Sequence, residues 1–255
     1  EHGIPVPAGY AAVRARLCRL RGETRGAVAW AREGLRTAPR DTACRTELLL
    51  AAAQCGETVP AHGTAAPGAR AATWRAAASG DLAGALRCVD PRDPASLYDA
   101  VRLGAPERAV ERLDGSGPFA RHADALARRD GAALDRVAEE LERRGFLLFA
   151  AEAHAQAVRL HRDPGAARSS RMRALALARR CPGARTPALG GLVLGELTAR
   201  QRQIVALAAA GLSNRQIAER LTLSVRTVGN HLHSAYTRLG AGDRTALPAL
   251  VAQPA

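Results

Sequence analysis

Apolar residues along this chain recur every three to four positions, and almost nowhere do they alternate as they would in a strand. Val28, Ala31, Gly34 and Leu35 follow Gly22-Glu23 at helical spacing, and Leu134, Val137, Ala138 and Leu141 follow Asp130-Gly131 in the same way. Leu147, Ala150, Ala151, His154 and Val158 continue the pattern after Phe146. That period predicts amphipathic helices, so the expected fold class is all-α.

The predicted helices come in pairs. Short connectors of Gly or Pro with an acidic residue stand at Gly22-Glu23, Gly80-Asp81, Asp130-Gly131 and Asp163-Pro164-Gly165. Small residues soon after them, Ala27, Ala85 and Ala166-Ala167, let one helix pack closely on the next. This resembles antiparallel helix-hairpin repeats of the tetratricopeptide type, with irregular spacing between connectors; an unspecific helical bundle is the plainer alternative. Gly56 to Gly68 reads as a long loop, and Cys181 to Gly195, rich in Pro and Gly, as an interdomain linker. The expected layout is a helical repeat domain over 1–180, a linker over 181–195 and a separate unit over 196–252.

That last unit carries denser local signals. Thr198-x-x-Gln201 and Ser213-x-x-Gln216 are capping boxes, each opening a helix, and Gly211 ends the first of them. Thr222-Leu223 makes a tight turn, Ser224 caps a third helix, and Gly240 terminates it. Two short helices, a turn and a longer helix make a helix-turn-helix. In the third helix Val228, Leu232, Ala235, Tyr236 and Leu239 share an apolar face, while Arg226, Asn230, His233 and Thr237 lie opposite. Arg pairs bidentately with guanine O6/N7 and Asn with adenine N6/N7, so this face suits base edges. A solvated surface helix would also be polar outside, but three capped elements in register favour the DNA-reading alternative.

On these residues the segment resembles the LuxR/GerE-type DNA-binding domain. The resemblance rests on Leu197-Thr198, Gly211-Leu212-Ser213-Asn214, Ile217-Ala218, Leu221, Thr227-Val228, His231-Leu232, Leu239-Gly240 and Arg244. It implies that the helix from Val225 enters the major groove and that a short fourth helix after Arg244 supports dimerisation. Base reading would fall on Gly229, Asn230 and His233, joined by Arg226 and Thr237 from the same helix. Phosphate contacts would fall on Ser213, Asn214 and Thr227, with Arg200, Arg215 and Arg238 setting salt dependence. Three positions depart from the family pattern. Gly229 replaces a frequent Lys or Glu and weakens its helix by about 1 kcal/mol. Gln201 replaces a frequent Glu, and Pro248 falls inside the expected fourth helix. The stretch from Arg180 to Pro187 resembles the region ahead of this domain in large ATP-binding LuxR-type regulators, where an ATPase module precedes helical repeats.

Composition narrows the rest. The 255 residues carry 37 basic against 24 acidic side chains, net +13, and every basic one is arginine. Such a charge favours polyanions. The arginine is spread through both parts, and with alanine above a fifth of the chain it also reads as the codon bias of a GC-rich genome. Without lysine there is no P-loop, so a nucleotide-binding loop is expected either to lie outside this sequence or not to exist. The sequence begins at Glu1 without an initiator Met and reads as part of a longer one. No apolar run reaches the ~18 residues of a membrane span, and no secretory signal is present. Five scattered cysteines, Cys18, Cys44, Cys55, Cys88 and Cys181, read as free thiols in a reducing cytoplasm.

Metal and catalytic chemistry find no support. His231 and His233 point to different helix faces, and His122, His154 and His161 stand singly and read as ordinary core or surface residues. Glu139, Glu140 and Glu142 read as a solvated face. The expectation is a cytoplasmic transcriptional regulator without cofactor or catalytic activity. It binds double-stranded DNA, as a homodimer, with RNA polymerase a further candidate partner. A helical-repeat adaptor with a vestigial helix-turn-helix, or a sigma-type polymerase factor, is the alternative.

Overall fold

The computed structural model describes residues 6–38, 43–55, 68–113, 115–194, 197–239 and 247. Among these the regular secondary structure is all helical. They are α1 Ala8–Leu20, α2 Thr24–Thr37, α3 Ala43–Gln54, α4 Ala69–Ala78, α5 Leu82–Arg87, α6 Pro94–Arg102 and α7 Pro118–Ala127. After these come α8 Gly131–Arg143, α9 Leu147–Val158, α10 Pro164–Arg179, α11 Pro187–Leu194, α12 Ala199–Ala209, α13 Asn214–Leu221 and α14 Val225–Leu239. The all-α expectation holds. The loop expected from Gly56 lies, but for Gly68, outside the described residues.

Consecutive helices pack side by side, α1 on α2, α8 on α9 and α9 on α10. The connectors do what their composition predicts. Gly22 and Gly80 take positive φ of 78° and 87°, a left-handed turn that is strained for residues with a Cβ. Asp81, Asp130 and Asp163 accept the backbone N–H three residues on and so cap α5, α8 and α10. Ala27 and Ala85 are fully buried at the close approaches. Leu134, Val137, Ala138 and Leu141 face inward as their spacing requires. α9 is buried on every side from Leu148 to Ala157, the mark of a central helix. The chain also closes on its start: the Thr24 hydroxyl donates to the Pro182 carbonyl, and Cys181 packs against Gly22.

Polar side chains inside this part are organised in ways the sequence does not announce. Arg102, 2% exposed, donates from Nε and Nη2 to both oxygens of Glu152 at 2.7 and 3.0 Å and lies between the rings of Trp74 and Phe149. Burial alone would lower its proton affinity, but Glu152 outweighs this and raises it. His122 is not a lone core residue: Nε2 donates to Gln156 Oε1 at 2.7 Å, and Nδ1 lies 3.0 Å from the Tyr98 hydroxyl. Burial pushes its pKa down to about 4, so the ring is neutral at pH 7. His154 and His161 share one carboxylate, Asp135, at 2.6 and 2.8 Å. Ser170 also donates to Asp135, and not to either imidazole, so no nucleophile–base pair forms. Burial would raise the Asp135 pKa, but the bonds from His154, Ser170 and His161 hold it below the usual carboxylate range.

Two further expectations change. Glu139, Glu140 and Glu142 are not simply solvated, since Arg173, Arg121 with Arg144, and Arg180 pair with them in turn. Part of the arginine excess therefore serves the helix packing. The stretch read as linker contains α11, whose Ala188, Leu189 and Leu192 are buried in the same core as α9 and α10. Pro187 is tolerated because it opens the helix, where no N–H partner is lost. Gly191 lets the Arg159 side chain approach closely, and Arg171 donates to the Leu192 carbonyl. None of the five cysteines forms a disulfide, and burial raises the Cys181 pKa to about 11.

Candidate nucleic-acid interface

The helices α12, α13 and α14 assemble around a compact core in which Ile204, Ile217, Val228 and Leu247 are fully buried and Leu232 nearly so. Both capping boxes form. The Gln201 N–H donates to Thr198 Oγ1 at 3.2 Å while Gln201 Oε1 accepts from the Thr198 N–H at 3.0 Å. Ser213 and Gln216 repeat the arrangement at 3.3 and 2.8 Å. Gly211, at φ +90°, ends α12. Thr222 adopts the left-handed conformation, φ 53° and ψ 51°, and the Leu223 N–H returns to the Ala218 carbonyl at 2.9 Å. This turn sets the angle between α13 and α14. Ser224 Oγ then accepts the Thr227 N–H at 3.0 Å and starts α14.

With Val228, Leu232 and Ala235 turned inward, Arg226, Asn230, His233 and Thr237 all stand exposed. Their steps of four, three and four residues make one continuous stripe. Gly229 lies beside the stripe, half-buried, and a Cβ there would meet nothing within 4 Å. Gly229→Ala is therefore expected to stabilise α14 by about 1 kcal/mol through helix propensity alone. Thermal unfolding of the variant checks this, and an unchanged or lower melting temperature counts against it.

The remaining candidates divide. Ser213 and Arg215 are exposed at the head of α13, with Asn214 half-buried between them; Arg215 pairs with Glu219 at 3.1 Å on an open face. Thr227 is half-buried, and its hydroxyl is 2.7 Å from Ser224 Oγ. Thr237 donates its hydroxyl to the His233 carbonyl at 3.1 Å. Arg200 is already engaged, donating to the Leu221 carbonyl at 2.7 Å and to Gln203 Oε1 at 2.8 Å. It thus ties α12 to the end of α13. The Arg238 side chain, Gly240, Arg244 and Pro248 lie outside the described residues. Leu247, however, is helical and fully buried.

One residue has a role that sequence reasoning missed. The Gln201 side-chain amide, left over from the capping box, donates to Ser234 Oγ at 3.2 Å and fastens the start of α12 to the middle of α14. A capping box uses only the Gln oxygen, so a buried Gln in that position leaves an N–H₂ to be placed. That was the available signal.

Comparison with known sequences agrees with this geometry. Residues 195–251 match the family described as bacterial regulatory proteins, luxR family. The C-terminal segment is a LuxR-family helix-turn-helix domain. Over 75 residues the chain is 45% identical to "Putative HTH-type transcriptional regulator Mb0914c" of Mycobacterium bovis, a match covering 29% of this chain and 8% of that protein. Rv0890c of Mycobacterium tuberculosis, which carries the same kind of name, matches to the same extent. Over 52 residues it is 48% identical to "Putative HTH-type transcriptional regulator YhjB" of Escherichia coli K12, covering 20% of this chain and 26% of that one. No solved structure gives a significant match. The LuxR-type domain and these names are those of transcriptional regulators. Among the described residues no helix is long and apolar enough to cross a membrane, and no group of His, Cys, Asp or Glu could hold a metal ion.

Proposed function

We propose that this chain belongs to a sequence-specific DNA-binding transcriptional regulator that lays α14 in the major groove. The observation that carries the reading is the exposed stripe Arg226, Asn230, His233 and Thr237, set against a core that fixes the helix. Ser213, Asn214, Arg215 and Thr227 hold phosphates beside it; Ser213 and Asn214 stand at the N-terminal end of α13, whose dipole favours anions. Arg226, Asn230 and His233 read base edges, and half-buried Gly229 lets the backbone approach. Residues 1–180 form a tetratricopeptide-like unit for regulatory contacts. The regulator acts as a cytoplasmic homodimer on a two-fold site and engages RNA polymerase.

Selection of preferred sites from random duplexes, followed by binding assays, tests this. Asn230→Ala is expected to lose about 1–3 kcal/mol of discrimination between selected and random DNA. An equal fall on both would remove the base-reading role. Arg215→Gln is expected to lower affinity on all sequences alike and to reduce the slope of log affinity against log salt by about 0.9. A slope that does not move would exclude a phosphate contact at Arg215.

A further inference from the structure

The helical part holds a cavity of about 770 Å³ between α1, α3 and α4 on one side and α6, α7 and α9 on the other. That volume lies in the ~300–1,000 Å³ range of small-molecule sites. Its rim is exposed at Arg16, Thr46, Pro94 and Ala95, while Arg19, Leu50, Tyr98 and Phe149 on its floor are 4–6% exposed. The space is thus a pocket with a mouth and a buried end.

One wall is aromatic. All three phenylalanines of the chain, Phe119, Phe146 and Phe149, meet Tyr98 in a single cluster and line the pocket. Phe146 and Phe149 are parallel at 6°, their centroids 5.8 Å apart, and Phe119 meets Phe146 edge-on at 5.5 Å. In a chain with 3% aromatic residues, half of the aromatic side chains stand around this one cavity.

Beside the opposite wall, the buried charges are unequally paired. Arg19, Arg70 and Arg102 converge on only two buried carboxylates, Asp99 and Glu152. Asp99 accepts from Arg70 at 2.7 Å, from Arg102 at 3.2 Å and from Gln54 at 3.3 Å, and both Glu152 oxygens belong to Arg102. Arg19, 5% exposed, has no side-chain hydrogen bond or ion pair among the described residues. Burial, and then repulsion from Arg102, lower its pKa to about 10. A buried unpaired charge costs several kcal/mol, and a guanidinium offers a planar fork that fits a carboxylate. With Glu47, Asp90, Asp93 and Asp99 also lining the pocket, a single negative charge seated on Arg19 fits better than a phosphate dianion.

We propose that this pocket binds a small aromatic monocarboxylate, with the carboxylate on Arg19 and the ring against Phe119, Phe146 and Phe149. The ligand spans the two helix groups that form the walls. This site does not depend on the DNA-reading assignment, because its occupancy is measured on the chain without DNA.

The test is calorimetric titration of the full chain with phenylacetate and 1-naphthoate, against acetate, octanoate and the corresponding aromatic amides. Saturable binding of the aromatic carboxylates is expected, with amides and acetate at least ~10-fold weaker. Octanoate binding as tightly as naphthoate would overturn the aromatic assignment. Arg19→Gln is expected to weaken carboxylate binding at least ~10-fold while leaving the unliganded protein as stable as the parent or more so, since it removes an unpaired buried charge. Phe146→Ala, at a half-exposed wall position, is expected to narrow the gap between naphthoate and acetate. Equal binding of amide and acid, undiminished binding by a folded Arg19→Gln, or no binding up to about 10 mM would each overturn the proposal.

Discussion

Replacing Glu152 with leucine is expected to destabilise the N-terminal helical part by about 3–5 kcal/mol, the largest single effect available in it. Arg102 is 2% exposed, and Glu152 receives its two shortest hydrogen bonds. Without that carboxylate the guanidinium keeps only Asp99, which it already shares with Arg70 and Gln54. Stacking between Trp74 and Phe149 cannot replace an ion pair, since cation–π contacts contribute about 0.5–2 kcal/mol. For a chain of this size the loss corresponds to a fall in melting temperature of about 6–20 °C, followed by far-UV circular dichroism. The double variant Arg102→Met, Glu152→Leu is expected to recover most of it, because removing both charges leaves neither partner of the pair unpaired. A single variant that melts within about 2 °C of the parent would show that the pair is not buried in solution.

The second large effect is in the LuxR-type domain. Ile217 is fully buried on α13 and packs in the core shared by α12 and α14. Ile217→Ala removes that packing at a cost of about 2–5 kcal/mol. A core of this size supplies only about 3–5 kcal/mol in total, so the expected result is an unfolded or nearly unfolded C-terminal domain and loss of DNA binding. Amide hydrogen exchange should lose protection over α12–α14 and keep it over α8–α10. Full protection in α12–α14 would refute the expected loss, and simultaneous loss in α8–α10 would show that the two parts are one cooperative unit.

What could be read from the sequence was what is local. Thr198, Ser213 and Ser224 bond within their own first turns, and Gly211 ends a helix by its own backbone, so short sequence windows suffice. Helix periodicity likewise marks the inward face of α8, whereas α9, buried on every side, has no single face to mark. The buried networks follow no such window. Arg102 and Glu152 are 50 positions apart, and Asp135 reaches Ser170 across 35, so their partners exist only once the helices are packed. For the same reason His154 and His161 read as single residues. Propensity hides α11: Pro187, Gly190 and Gly191 look like breakers, yet Pro187–Leu194 is helical, with Ala188, Leu189 and Leu192 buried in the neighbouring core. In the candidate interface the exposed stripe of α14 was legible from residue types and spacing. The engagement of Arg200 with the Leu221 carbonyl was not, since an arginine near DNA and an arginine clamping a helix end look alike in sequence.

α11 has one more consequence. It bears on α9 and α10 and also touches α14. The eight-residue helix is therefore packed on both sides and is not a free tether. A flexible tether would let the reading head rotate independently of the helices before it. With Arg171 on α10 holding the last turn of α11, turning α14 away from the helical part would first have to break its contacts with α11.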